Sequence, residues 1–225
     1  MLRRAVVCAR DLGHPRVGSE HLLAALASDG GAPIVALLAE HGATRVAVQD
    51  AACAAAPSGA GAAADRNVLA AIGIDLDCLL HTSGTAPLDR PAGREPAFPL
   101  GVNLARRQCA RTNPPLGIDA QASYAASLRL ALARRERRHR CEHVALTLTS
   151  LDPGVDWVLT YIGVDRCALL ADLSVAFPPP VRNRLARADR QLGHRSRHRS
   201  IVRLDQHLTG RTAIDGATVV ELIAG

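Results

Sequence analysis

The stretch Leu12-Gly13-His14-Pro15-Arg16-Val17-Gly18-Ser19-Glu20-His21-Leu22-Leu23-Ala24-Ala25-Leu26 decides how this chain folds. Gly13 stops an amphipathic run in which Leu2, Ala5, Val6, Ala9 and Leu12 recur at three- and four-residue intervals, the spacing of a helix face. Ser19 is an N-cap by residue type, and it precedes a segment from Glu20 to Ala27 with Leu22, Leu23 and Leu26 on one side. The pattern continues downstream. Pro33 suits a first helical position, Ile34, Leu37 and Leu38 form the next stripe, and Gly42 stands where a helix ends in the left-handed conformation. Thr44 then caps a segment carrying Val46, Val48 and Cys53. Residues 1 to 55 therefore predict four short helices.

Beyond them, residues 56 to 64, rich in alanine and glycine, read as a flexible connector. A short helix is expected from Asp65 to Ile72, stopped by Gly73, and a turn or two from Leu76 to Leu80 capped by Asp75. From His81 to Gly117 proline and glycine are dense, which predicts a linker with one helical piece around Leu104 to Arg107. A long helix follows from Ser123 to Arg138, and Cys141-Glu142-His143 opens a short one bearing Val144, Leu146 and Leu148. Asp152-Pro153 is an N-cap and first-turn pair ahead of Val155 to Ile162, stopped by Gly163; Asp165 caps Arg166 to Leu173. Pro178-Pro179-Pro180 closes the unit.

The second half repeats the first. Arg16-Val17-Gly18-Ser19-Glu20-His21-Leu22 lines up with Arg138-His139-Arg140-Cys141-Glu142-His143-Val144, 122 residues later. With one residue deleted, His41-Gly42-Ala43-Thr44 falls on Ile162-Gly163-Val164-Asp165. The division that follows is a first unit at 1–81 with a helix pair inserted after 56, a linker at 82–117, a second unit at 118–176 and an extension at 177–225. The fold class is all-α, two pseudo-symmetric four-helix units with a basic C-terminal tail that is helical or partly disordered.

Composition agrees and excludes several chemistries. Of 225 residues 48% are hydrophobic and only 2% aromatic, and the dominance of alanine and leucine favours helices. All 27 basic residues are arginine. Without a lysine the chain has no phosphate-binding P-loop of the usual kind, no Schiff base and no Ser-Lys nucleophile. No enzyme activity and no cofactor are expected. The six cysteines, Cys8, Cys53, Cys78, Cys109, Cys141 and Cys167, show no metal or disulfide spacing and read as small apolar residues. No run approaches the 18 or so apolar residues that span a bilayer. The opening Met1-Leu2-Arg3-Arg4 leads into an amphipathic segment, so no signal peptide and a cytoplasmic location are expected.

The net charge of +6 is unevenly spread. Arg182, Arg184, Arg187, Arg190, Arg195, Arg197, Arg199 and Arg203 face Asp189 alone, a local +7. Eight arginines without aromatics suit phosphate contacts more than base reading, which makes nucleic acid, a polyanion or an acidic partner the alternative function for this chain; the bland alternative is a solvated extension.

The opening stretch resembles the L-G-H-x-x-[IV]-G-[TS]-E-H-[LI]-L-x-x-L signature of the Clp N-terminal repeat, which stands twice at the front of Clp-type AAA+ unfoldases. The likeness covers roughly residues 1 to 81 and 119 to 174, and it is degraded in the second copy, where Arg134, Arg135, Glu136, Arg140 and Cys141 hold the motif's L-G-H and G-T positions. It implies eight helices in two halves that dock substrates and adaptors for an ATPase ring. A free-standing, non-catalytic accessory protein of a Clp protease follows, with unfoldase or protease components, or their substrates, as partners. In one branch of that family the glutamate of each motif lines a site for phosphorylated arginine, and the matching residues are Glu20 and Glu142. A carboxylate suits a guanidinium because two parallel hydrogen bonds are available. The family's segment ahead of the first helix has no counterpart here. Near a helix N-terminus a carboxylate also simply favours the dipole.

His139-Arg140-Cys141-Glu142-His143 also matches H-x-x-E-H, an inverted zinc-protease motif whose third ligand would formally be Glu221. The repeat already explains Glu142-His143, so no metal is expected. His14 and His21 are expected to cap or pack.

Overall fold

The computed structural model describes residues 1–83, 112–136 and 138–179, together with 201–203, 205, 206, 209 and 222. Ten helices are defined among them: α1 (Leu2–Asp11), α2 (Ser19–Asp29), α3 (Ala32–Glu40), α4 (Arg45–Ala54), α5 (Ala60–Ala71), α6 (Leu76–Ser83), α7 (Ile118–Ala133), α8 (Cys141–Leu151), α9 (Pro153–Tyr161) and α10 (Arg166–Ala176). No strand occurs among the described residues, and the fold is all-α. The sole extended pairing among the described residues is an isolated parallel bridge between Val17 and Leu116. There the Val17 amide donates to Pro115 O at 2.8 Å and the Gly117 amide to Val17 O at 2.9 Å, tying the start of α7 to the α1–α2 loop.

Several helix boundaries follow the expected caps. Thr44 Oγ1 accepts from the Ala47 amide, Asp75 Oδ1 from Asp77 and Cys78, Asp152 Oδ1 from Val155, and Asp165 Oδ1 from Cys167 and Ala168. Gly42 and Gly163, paired by the internal alignment, end α3 and α9 at φ +86° and +74°, where a side chain would be strained. Three boundaries differ from expectation. The N-cap of α2 is Gly18 and not Ser19, because the imidazole of His21 reaches back and accepts the Gly18 amide at 2.9 Å. Helix α5 begins at Ala60, five residues before Asp65, because Ala60, Ala62 and Ala63 are good helix formers and, with Gly61, are buried in the interior. Helix α7 spans Ile118 to Ala133 and not Ser123 to Arg138, since Gly117 caps it and the chain turns at Arg135 with φ +56°. The expected piece at Leu104 to Arg107 lies outside the described residues, as does nearly all of the C-terminal extension.

Packing is organised on α2, which meets α1, α3, α4 and α5 and also reaches α7, α8 and α9. Two helices are apolar nearly all round: Ser19–Ala27 in α2 and His143–Leu151 in α8 are unbroken buried runs. The contacts α1–α2, α2–α3 and α2–α4 have counterparts in α7–α8, α8–α9 and α8–α10. Across the molecule α3 packs on α10 and α4 on α9, and His41 Nε2 lies 2.8 Å from Asp172 Oδ2 at the first of these seams. Leucines, valines and alanines from all these helices except α6 form one core, and Ile201 and Leu222 from the C-terminal extension are buried in it too. Among the described residues no single helix is long and apolar enough to cross a membrane.

Candidate functional site

The N-termini of α2, α5 and α9 converge. A Cβ on Gly154 would meet Gly61 N at 2.7 Å, Ser19 Oγ at 2.9 Å and Ala60 C at 3.1 Å, so only glycine lets α9 approach this closely. Into this meeting of positive helix ends projects the carboxylate of Glu20. It overlies Gly18, and one oxygen comes within 3.3 Å of where a Gly59 Cβ would stand. The side chain is 2% exposed. Burial opposes its charge, but the adjoining His21 imidazole and Glu20's own amide favour the anion, and the carboxyl lies below its usual range. Glu20 therefore remains an anion at neutral pH and faces the positive ends of helices.

His21 is fully buried, and its Nδ1 is occupied by the Gly18 amide. His14 packs edge-on against it with ring centroids 4.8 Å apart, and burial together with His21 lowers the pKa of His14. One donor atom each from His14, Glu20 and His21 lie within 4.8 Å of one another, all buried. Histidine and carboxylate donors suit zinc. Within the fold Nδ1 of His21 is committed to the cap and the Glu20 carboxylate faces the helix ends, whereas Nε2 of His21 is buried without a hydrogen-bond partner.

The N-terminus of α8 has the same cap. His143 Nδ1 accepts from the Arg140 amide at 3.1 Å, as His21 does from Gly18. Here Glu136, 122 residues after His14, lies beside the ring, its Oε1 3.2 Å from His143 Nε2 but poorly directed for a hydrogen bond. Glu142 differs from Glu20 in access. Its side chain is 18% exposed, and the Arg140 guanidinium, 59% exposed, donates to Oε1 at 3.2 Å. The H-x-x-E-H residues do not converge on a metal-like geometry. His139 Nε2 pairs with Ser127 Oγ at 2.9 Å while its ring stacks on His143 at 5.8 Å, and Glu221 lies outside the described residues.

Burial and the neighbouring His143 lower the pKa of His139 to about 4 from 6.5. The unfolded chain therefore binds more protons at this residue across that interval, and stability falls as pH drops from 6.5 towards 4. We expect His139→Gln to flatten this part of the curve, measured by urea denaturation at closely spaced pH values. An unchanged slope would show that the acid sensitivity arises elsewhere, as at His14.

Of the residues singled out from sequence, Glu20 and Glu142 both occupy helix N-termini, one enclosed and one accessible. Arg203 is exposed, and Arg182, Arg184, Arg187, Arg190, Arg195, Arg197 and Arg199 lie outside the described residues. His21 caps α2 and His14 packs edge-on against it, in line with the expectation for both, whereas the close approach at Gly154 was not anticipated. The cysteines Cys8, Cys53, Cys78, Cys141 and Cys167 are free thiols. Compared with family models, with curated proteins and with solved structures, the chain matches none.

Proposed function

We propose that this chain is a non-catalytic accessory protein of a Clp-type unfoldase and protease in the cytoplasm, built as two related four-helix units and holding partner or substrate peptides on a helix-cap face. The observation that carries the reading is the pair of matching caps: a histidine at the third helical position accepts the N-cap amide in both α2 and α8, with a glutamate immediately before it. The resemblance of the Leu12 to Leu26 stretch to the Clp N-terminal repeat gives that pair its meaning. Supporting it further, the exchange of α3–α10 for α4–α9 contacts is what two related units facing each other produce.

The accessible face is that of α8. Arg140 and Glu142 present a cation and an anion 3.2 Å apart. A phosphorylated arginine carries the complementary pair, phosphate towards Arg140 and guanidinium towards Glu142. A ligand reaches Glu20 only if the Gly59 segment moves aside, so the second unit is the working one in this proposal.

The test is a tagged pulldown from lysate of the source organism, washed at low and at high salt. Retention of a Clp ATPase, its peptidase or arginine-phosphorylated clients through the high-salt wash is the expected outcome. Nucleic acid or ribosomal material lost at high salt, with no Clp component, would overturn it and make the arginine-rich extension the functional element.

A further inference from the structure

Helix α5 is anchored at one end only. Its first turn, Ala60 to Ala63, is buried, whereas Val68 and Ile72 further along are 69% and 68% exposed. Helix α6 packs chiefly on α5 and contributes no side chain to the common core. The two helices therefore project as a hairpin, and the hairpin is built to hold its shape. Arg66 joins them through a bidentate pair, Nε donating to Asp77 Oδ2 at 2.9 Å and Nη2 to Asp77 Oδ1 at 2.7 Å. The turn between them closes at Gly73, where φ is +78°, with the Ile74 amide donating to Leu69 O at 2.9 Å.

This hairpin gathers apolar surface. Of the nine large apolar side chains exposed among the described residues, four stand on it: Val68, Ile72, Ile74 and Leu79. Val68 and Ile72 lie one turn apart on the same face of α5. Apolar surface concentrated on a rigid element marks a contact surface. Charge indicates what it contacts. Asp65, Asp75 and Asp77 stand against Arg66, a net −2 over residues 65–83 in a chain whose total is +6. A second hairpin is a poor counterpart, because the aspartates would face their own copies.

The complement stands on α1. That helix buries Ala5, Cys8 and Ala9, and on its outer side Val7 is 42% exposed among the exposed Arg3, Arg4 and Arg10. The three arginines lie three or four residues from Val7, so one helix face offers an apolar centre in a cationic frame. We propose that the chain self-associates head to tail, the acidic, apolar α5–α6 hairpin of one copy seated on the basic α1 face of the next. The two surfaces differ, so the contact is heterologous and repeats from copy to copy, closing into a ring or running on as an open chain. Both patches are small, which places the contact among interfaces below about 1,200 Å² that form weakly and reversibly. An assembly of this kind displays the α8 cap once per copy. That consequence rests on the binding role proposed above, whereas the association itself does not.

Sedimentation velocity on the purified full-length chain, freed of nucleic acid and followed over a range of concentrations, tests it. The mean mass of the wild type is expected to rise with concentration. Val68→Glu with Ile72→Glu on the hairpin, and Arg4→Glu with Arg10→Glu on α1, are each expected to weaken association at least tenfold, with the helical circular dichroism unchanged. Val68→Thr, which keeps the shape of the side chain, is expected to weaken it in the same direction. Mixing the two double variants is the decisive step. Each supplies the surface that the other lacks, so the mixture is expected to recover dimers and nothing larger. High salt is expected to weaken the wild-type association, because opposite charges meet across it. A wild type that stays monomeric throughout would overturn the proposal. Association untouched by the α1 variant would also overturn it, since the hairpin would then be seated elsewhere. A mixture no better than its separate components would show an isologous contact and contradict the head-to-tail pairing, and association strengthened by salt would contradict the charge pairing.

Discussion

Gly154→Leu is expected to destabilise the protein by about 3 kcal/mol or more, at the upper end of what overpacking costs. The first atom of the new side chain would stand 2.7 Å from Gly61 N and 3.1 Å from Ala60 C. These are backbone atoms at the start of α5 and have no rotamer by which to yield. The remaining atoms must then push α9 off α5, the most extensive helix pairing among the described residues. Urea denaturation checks this through the midpoint at unchanged slope. A loss below about 1 kcal/mol would mean that the α5 start is mobile and that Glu20 is less enclosed than its surroundings indicate.

The second large effect concerns two leucines together. Leu26 and Leu148, 122 residues apart, are both fully buried, one on each of the central helices α2 and α8. Truncating either to alanine removes one methine and two methyl carbons from a packed interior, and about 3 kcal/mol is expected for each, within the range of about 2–5 kcal/mol for such changes. Because the two helices share one core, each variant is expected to unfold in a single transition, followed in parallel by far-ultraviolet circular dichroism and by the fluorescence of Trp157. A biphasic curve, with one half surviving the loss of the other, would show two independently folding units.

Much of the helix order could be read from the sequence because its signals are local. Thr44, Asp75, Asp152 and Asp165 cap through their own side chains, and Gly42 and Gly163 stop helices through their own backbone freedom. What escaped depends on tertiary contact. Ser19 looks like an N-cap, yet the cap belongs to Gly18, because an imidazole from the third helical position supplies the acceptor. The alanine-rich connector looks flexible, yet from Ala60 it is helical, because α9 gives Ala60 to Ala63 a surface to bury against. Glu20 and Glu142 look equivalent in the aligned motifs. The fold separates them, since α5 and Gly59 close over one, while the other is 18% exposed with nothing comparable over it among the described residues. The extension could be read as basic, but not as anchored: Ile201 and Leu222 are ordinary apolar residues whose partners lie far away in sequence.

The most direct test of the account is a calorimetric titration of the intact protein with an arginine-phosphorylated peptide, beside the same peptide carrying plain arginine. It is run at low and high salt on the wild type and on Glu142→Ala. We expect the phosphorylated peptide to be preferred and to remain bound at high salt. Glu142→Ala should weaken it at least tenfold, a change of about 1.4 kcal/mol. Equal affinity for both peptides, or undiminished binding by Glu142→Ala, would contradict the assignment of the α8 cap as the working face.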